Sequence, residues 1–160
     1  ALAGEMMDGG PILAARVREL GLQHAVEFLG KVSKDEKISR MQSCGAYYQC
    51  SRHEGFGVAI AEAMACGAPV IVNRRTAIPE VVGDCGYYVR DESPRAIADA
   101  LLTALRDPEG ARQVGTRAAE RVDREFRFER RREFFRVMLA DMLRKNRKSL
   151  DERQPARAAA

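Results

Sequence analysis

The chain has 160 residues, of which 46% are hydrophobic and 31% are charged, so it can form one domain with a core of its own. The formal net charge is only +4, and the basic residues are concentrated towards the C-terminal end. This argues against nucleic acid as the main partner, because domains that bind it carry a concentrated basic stripe together with a recognisable fold motif.

Short apolar segments alternate with helical patterns over the first two thirds of the chain. Predicted strands lie at 1–4, 25–30, 46–51, 69–73 and 86–90, and predicted helices at 12–20, 33–43, 57–66, 78–83 and from 94 onward. Ser33 and Glu36 have the spacing of a capping box, and Ser93 with Pro94 predicts another helix start. Continuous apolar strands between helices are typical of a parallel sheet covered on both faces. The predicted fold class is α/β, a Rossmann-like, doubly wound parallel sheet.

After Asp107 and Pro108 only helical patterns follow, at 109–124 and 127–146. The opening segment 1–4 resembles the end of a strand whose preceding β-α unit is missing. We therefore expect one domain at 1–145 that lacks its first strand, followed by a disordered basic tail at 146–160.

The four cysteines, Cys44, Cys50, Cys66 and Cys85, show no metal-type spacing and lie in or beside apolar segments. They are predicted to be small buried thiols in a reducing compartment, which favours the cytoplasm. No apolar run approaches the roughly 18 residues that a membrane span needs.

A glycine-rich loop, "HEGFG", joins the strand at 46–51 to the helix at 57–66. Ligands of open α/β sheets bind beyond the carboxyl ends of the strands, where helix N-termini favour anions. Gly55 and Gly57 remove the Cβ atoms that would keep a phosphate or sugar at a distance, and Phe56 is expected to hold the loop to the apolar layer beneath it.

Two carboxylates flank this loop, and both are candidates to bind vicinal hydroxyls of a sugar or ribose. Glu54 precedes the helix, and Glu62 lies inside it among apolar residues, where an unpaired charge would cost several kcal/mol. The arrangement predicts a pocket for a nucleoside diphosphate sugar. The alternative assigns the two glycines to turn geometry and Glu62 to a solvated helix face.

The segment "EGFGVAIAE" with the following "AMACGAPVIV" and "AIPEVVGDCGYYV" resembles the C-terminal half of family 4 (group 1) glycosyltransferases. The resemblance extends from about residue 2 to about residue 140. It implies one half of a GT-B fold, in which two Rossmann-like domains face each other across a cleft. It also implies a retaining transfer of a hexose from a UDP-, GDP- or ADP-linked donor, with no metal or other cofactor required.

The resemblance implies a role for each matching residue. Glu54 would contact the donor sugar near its anomeric carbon, as a positioning and electrostatic residue rather than a proven nucleophile. Glu62 would hold the ribose hydroxyls. The loop residues Gly55, Phe56, Gly57 and Val58 would bind the sugar and diphosphate, and Leu29, Gly30, Lys31 and Val32 would lie beside the nucleobase.

The chain also departs from the family pattern. The basic residues that clamp the diphosphate, the first central strand and the acceptor-binding N-terminal domain would all lie upstream of residue 1. Arg75, Thr76 and Ala77 stand where many members have a glycine pair. They would either narrow the loop near the sugar or add a cation near the phosphates. We therefore expect no turnover from this chain alone.

Several alternatives remain open from the sequence. A non-catalytic nucleotide-binding or interaction module would keep the same fold, and a related GT-B epimerase is a more distant alternative. His53 adjoins Glu54 and is a possible catalytic partner of it, although neighbours in a loop usually point apart, and His24 is expected at the surface. Glu80 either caps the next helix start or reaches the cleft.

The arginine-rich segment "ERVDREFRFERRREFFR" is most simply a solvated helix face with ion pairs four residues apart. The alternative is a surface for anionic lipid, which would allow peripheral contact with the inner face of a membrane. The resemblance also implies that the missing N-terminal domain binds the acceptor, which is a sugar or a lipid-linked molecule.

Overall fold

The computed structural model describes residues 1–4 and 9–153. The strands are β1 (Leu2–Ala3), β2 (Phe28–Gly30), β3 (Tyr47–Gln49), β4 (Val70–Val72) and β5 (Tyr87–Tyr88). The helices are α1 (Gly9–Glu19), α2 (Lys34–Ser43), α3 (Val58–Ala65), α4 (Ile78–Val82), α5 (Pro94–Arg106), α6 (Pro108–Phe126) and α7 (Phe128–Arg153). Every element predicted from the sequence is present and of the predicted type.

All strand pairs are parallel, which confirms the predicted α/β class. The pairing falls into two ladders, β1-β2 and β3-β4-β5. The strands are shorter than the apolar segments that predict them. For example, the segment at 25–30 begins as a turn, in which the amide of Ala25 donates to the carbonyl of Leu22, and only its last three residues are extended.

Strand β4 lies at the centre of the packing, and all three of its residues are fully buried. Val70 and Val72 face one apolar cluster, which contains Ile60 and Met64 of α3. Ile71 faces the other cluster, which includes Ala104 of α5 and Ala111 of α6. Because successive side chains of a strand point to opposite faces, this alternation covers the sheet on both sides.

Two predicted helix caps are present. The hydroxyl of Ser33 accepts a hydrogen bond from the amide of Glu36 at 3.2 Å, and Ser93 accepts one from Ala96 at the same distance. These contacts satisfy amides that the first helical turn leaves unpaired.

The spacing of Ile12, Leu13, Val17 and Leu20 places them on one helical face and predicts that they are buried together, which is only partly correct. Val17 is buried, but Ile12, Leu13 and Leu20 are exposed. The neighbouring ladder consists of one strand of two residues and one of three, so it offers little surface for a helix to cover.

The predicted disordered tail at 146–160 is wrong for its first eight residues, because α7 continues through Arg153. Helix-favouring residues such as Arg, Lys and Leu allow this continuation. Residues 154–160 lie outside the described part of the chain. Within that part, no helix combines the length and apolar character that crossing a membrane requires.

Helices α3 and α6 approach closely where Gly115 of α6 passes the end of α3. A Cβ at position 115 would overlap the carbonyl oxygen of Gly67. The closest contact is with backbone rather than with a side chain that could change rotamer. The packing of α6 therefore depends on this glycine.

We expect Gly115→Ala to lower the free energy of unfolding by about 1–3 kcal/mol, the usual cost of overpacking. Urea denaturation followed by circular dichroism would measure it. Gly9→Ala is the matched control, because a Cβ at position 9 meets no atom within 4 Å. Equal stability of the two variants would contradict the close approach.

Candidate functional site

The loop between β3 and α3 ends at Gly57, which is buried and forms the N-cap of α3 with a φ of 87°. This left-handed conformation is strained for other residues, and an added Cβ would lie 3.3 Å from Cδ1 of Ile60. Gly57 has no side chain to cap the helix, so the first-turn amides of α3 are available to an anion. The backbone conformation at position 57 therefore requires glycine.

Glu54 is half-buried and is held at two points. Its Oε1 accepts a hydrogen bond from Nε2 of Gln49 at 2.7 Å. Its backbone amide donates to Oγ1 of Thr76 at 3.0 Å. The carboxylate of Glu54 is therefore positioned by Gln49 at the end of β3, and its backbone is positioned by Thr76 in the loop after β4.

Gln49 is itself held by two hydroxyl groups. Oη of Tyr47 donates to Oε1 of Gln49 at 2.6 Å, and Nε2 of Gln49 also donates to Oγ of Ser51 at 3.2 Å. Burial raises the pKa of Tyr47 to about 12, with further contributions from the charges of Glu62 and Glu54. The phenol hydroxyl is therefore a hydrogen-bond donor at neutral pH.

Thr76 has a φ of 47°, and it is the only non-glycine residue with positive φ in the described part of the chain. This conformation costs a β-branched residue roughly 1–2 kcal/mol. The strained residue is the one whose hydroxyl accepts from Glu54. The backbone at position 76 thus has a conformation that favours glycine, while the side chain of Thr76 contacts the loop that carries Glu54.

A second polar group lies behind this loop. Asn73 is buried directly after β4, and its Nδ2 donates to the carbonyl of Ser51 and to Oε1 of Glu92, each at 3.0 Å. Arg75 donates to the same oxygen of Glu92. Arg75 thus forms an ion pair with Glu92, which joins the loops that follow β4 and β5.

Glu62 does not lie buried among apolar residues, as the sequence predicts. Its side chain is 41% exposed, and both of its oxygens accept from Nζ of Lys37, at 2.9 and 2.8 Å. It is neither deeply buried nor unpaired, because α3 has one exposed side, on which Val58 also lies. The cost of an unpaired buried charge therefore cannot serve as evidence for its function.

Phe56 is partly exposed, and its ring packs edge-on against Phe126 of α6, with 5.3 Å between centroids. Phe126 in turn packs against the apolar cluster that contains Ile60. Phe56 thus holds the loop to the apolar layer through the end of α6. A groove of about 500 Å³ begins here, and its walls, mostly apolar, include Phe56, Val58, Glu62, Phe126 and Phe134.

Comparison with known proteins identifies the family. The family model "Glycosyl transferases group 1" matches residues 12–121. The chain belongs to this family. The match includes both glutamates, the glycine-rich loop and all strands after β1.

Two curated relatives illustrate the similarity. The chain is 35% identical over 130 residues to N-acetyl-alpha-D-glucosaminyl L-malate synthase of Bacillus anthracis, covering 80% of this chain and 34% of that protein. It is 34% identical over 91 residues to O-antigen chain mannosyltransferase B of Escherichia coli, covering 57% and 24%. The chain spans about a third of the length of the first relative and a quarter of the second.

Solved structures agree on the fold. Sucrose-phosphate synthase of Thermosynechococcus elongatus is 28% identical, with a TM-score of 0.74 over 82% of this chain and 35% of that one. The C-terminal domain of the Francisella tularensis group 1 protein LpcC is 27% identical, with a TM-score of 0.66 over 77% and 65%. Anabaena HepE, in complex with UDP and glucose, shares the fold at 24% identity, with a TM-score of 0.79 over 88% and 40%.

The other predicted site residues of this group 1 chain lie in three separate parts of the fold. Leu29 and Gly30 end β2, and Lys31 and Val32 lead into α2, the helix that contributes Lys37 to Glu62. His53 is exposed. Glu80 is exposed in the first turn of α4, and its backbone carbonyl accepts from Arg121 at 2.7 Å.

Sequence reasoning missed Gln49, Thr76 and Lys37 as neighbours of the two glutamates. A signal existed for Gln49, which is a polar residue inside a strand pattern. Within residues 1–4 and 9–153, no group of three or more His, Cys, Asp or Glu side chains could hold a metal ion. The expected independence from metal stays a prediction.

We expect Lys37→Met to lower the free energy of unfolding by only about 0.5 kcal/mol, because both partners of the Lys37–Glu62 pair are more than a third exposed. Urea denaturation at low and high salt would measure it, and the loss should shrink as salt screens the pair. A loss of several kcal/mol would contradict the exposed position of Glu62.

Raising the pH from 10 to 12 should destabilise the chain more than it destabilises Tyr47→Phe. In this window an unfolded tyrosine is ionised while Tyr47 keeps its proton in the folded state, so its stabilising contribution falls as pH rises. Denaturation at several pH values would measure the difference. Parallel pH profiles of the two proteins would contradict the raised pKa.

Proposed function

We propose that this chain is the donor-binding half of a retaining glycosyltransferase that transfers a hexose from a nucleoside diphosphate sugar. The observation that carries this proposal is the arrangement at the start of α3. There an uncapped helix N-terminus lies between the half-buried carboxylates of Glu54 and Glu62. An anion would satisfy the first-turn amides, one set of hydroxyls would bind the second oxygen of Glu54, and another set would share Glu62 with Lys37.

In this proposal the diphosphate lies against Gly55, Gly57 and the first-turn amides of α3, beginning with that of Val58. Glu54 accepts from hydroxyls of the donor sugar, and Glu62 accepts from the ribose. The positive end of α3 stabilises the charge that develops on the departing diphosphate, which is the charge that increases in the transition state. No metal is assigned to this step.

The comparisons support the proposal through the relatives' names. The relatives include a GDP-mannose-dependent mannosyltransferase of Mycobacterium tuberculosis, 32% identical over 70% of this chain. The LpcC structure is described as a C-terminal domain of a group 1 protein. Because the chain spans only about a third of the length of the first relative, we propose that the acceptor site lies in a further domain. We also propose a cytoplasmic protein with peripheral membrane contact.

A second candidate is a non-catalytic nucleotide-binding module. The ion pair between Lys37 and Glu62 favours it, since it gives Glu62 a structural partner that does not depend on a ligand. Under this alternative the chain would bind a nucleotide but gain no affinity from the attached sugar.

Titration with UDP-glucose, UDP-N-acetylglucosamine, GDP-mannose and ADP-glucose, followed by amide NMR, tests the proposal. One donor should shift signals of residues 54–62, and Glu62→Ala should weaken its binding about 10–100-fold, the value of hydrogen bonds to a charged group. The matched control is Glu120→Ala, because Glu120 is exposed on α6. No shift with any donor, from a folded chain, would contradict the proposal.

A further inference from the structure

Gln49, the last residue of β3, is a half-buried amide in a position where a strand usually places an apolar side chain. Tyr47 lies on the same face of the strand, two residues earlier. The loop that carries Glu54 begins directly after β3. Gln49 is therefore fixed in the sheet while the carboxylate it contacts is on a loop.

The hydrogen bonds of Gln49 allow only one orientation of its amide. Its oxygen accepts from the Tyr47 hydroxyl, and its nitrogen donates both to Glu54 and to the Ser51 hydroxyl. Reversing the amide would place its oxygen against the carboxylate of Glu54, which can only accept when ionised. Each polar atom of the side chain is used, so the amide is rigidly held.

The carboxylate of Glu54 is oriented as a result. Oε1 is occupied by Gln49, whereas Oε2 accepts no hydrogen bond from the residues that the structure describes. The backbone of Glu54 is fixed separately by Thr76. One oxygen is thus held by the protein, and the other is left for a hydroxyl of a ligand.

We propose that Gln49, oriented by Tyr47, is a positioning residue that directs the second carboxylate oxygen of Glu54 towards the sugar of the donor. This inference rests on the proposed function, because it assigns a task to Glu54 in donor binding. Gln49 itself does not contact the sugar. Its contribution is to remove the rotamers of Glu54 that point elsewhere, which improves binding by pre-organisation.

The first experiment needs no ligand. The side-chain amide signals of Gln49 are followed by NMR in the parent chain and in Tyr47→Phe and Glu54→Ala. Both substitutions should shift these signals, since each removes one of the partners. Tyr87→Phe is the matched control, because the Tyr87 hydroxyl on β5 is not among the hydrogen-bond partners of Gln49 or Glu54 in the described part of the chain. Unchanged Gln49 signals in both test variants would overturn the proposal.

The second experiment compares dissociation constants for UDP and UDP-glucose, and in parallel for GDP and GDP-mannose. Gln49→Leu should reduce the advantage of the sugar nucleotide over its nucleoside diphosphate by about tenfold. The affinity for the nucleoside diphosphate itself should stay within about twofold. An unchanged advantage, or an equal loss for both ligands, would overturn the positioning role.

Gln49→Glu supplies a pH signature that a structural role alone would not produce. Near pH 8 the introduced carboxylate repels Glu54, so the sugar-dependent advantage should be lost. As pH falls towards about 5.5, the introduced carboxyl takes up a proton and can donate to Oε1 of Glu54, so the advantage should return. Gln42→Glu, at an exposed position of α2, is the control and should follow the parent. A flat profile for Gln49→Glu would overturn the proposal.

Comparing nucleoside diphosphates with sugar nucleotides distinguishes a failure of the proposed function from a failure of the positioning role. If neither UDP, GDP and ADP nor their sugar derivatives bind the parent chain, the proposed function is wrong, and the positioning role is wrong with it. If the nucleoside diphosphates bind but substitution of Gln49 leaves the affinity advantage of the sugar nucleotide unchanged, the proposed nucleotide site stands and only the positioning role is wrong.

Discussion

The architecture depends on the complete burial of β4. Its three residues have no exposed surface, and they alternate between two apolar clusters, so helices must cover both faces of the sheet. This burial places α3 on one face and α5 on the other. It also fixes where the chain leaves β4, and this is where Asn73 and Thr76 meet the loop that follows β3. The geometry of the site is therefore a consequence of how a single short strand is packed.

Around this strand, the site is built from polar contacts between loops. Gln49 holds the carboxylate of Glu54, Thr76 holds its amide, and Lys37 holds Glu62 from a different helix. The first two contacts hold the loop before α3, and the third joins α2 to α3 itself. The backbone shape comes from Gly57, and the placement of the charges comes from side chains. This division explains why the glycines and glutamates alone do not define the site.

Local patterns were sufficient to predict the fold, whereas the contacts of the site required the three-dimensional structure. Apolar runs and caps such as Ser33 and Ser93 are readable because their partners lie within a few residues. Lys37 meets Glu62 across 25 positions and Thr76 meets Glu54 across 22, so no local pattern reveals either pair. The argument that Glu62 is unpaired failed for this reason. The apolar face of α1 was over-predicted because periodicity shows which residues can be buried, but not whether a surface exists to bury them.

The double contact of Glu92 has an evolutionary consequence. One of its oxygens accepts hydrogen bonds from both Asn73 and Arg75, so Glu92 joins the loops that follow β4 and β5. It lies 38 positions beyond Glu54 in the chain. Drift at position 92 would be transmitted through Asn73 to the carbonyl of Ser51, and so to the entrance of the glycine-rich loop. A substitution at a position outside the pocket wall can thus alter the support of the glycine-rich loop, while every residue of that loop stays the same.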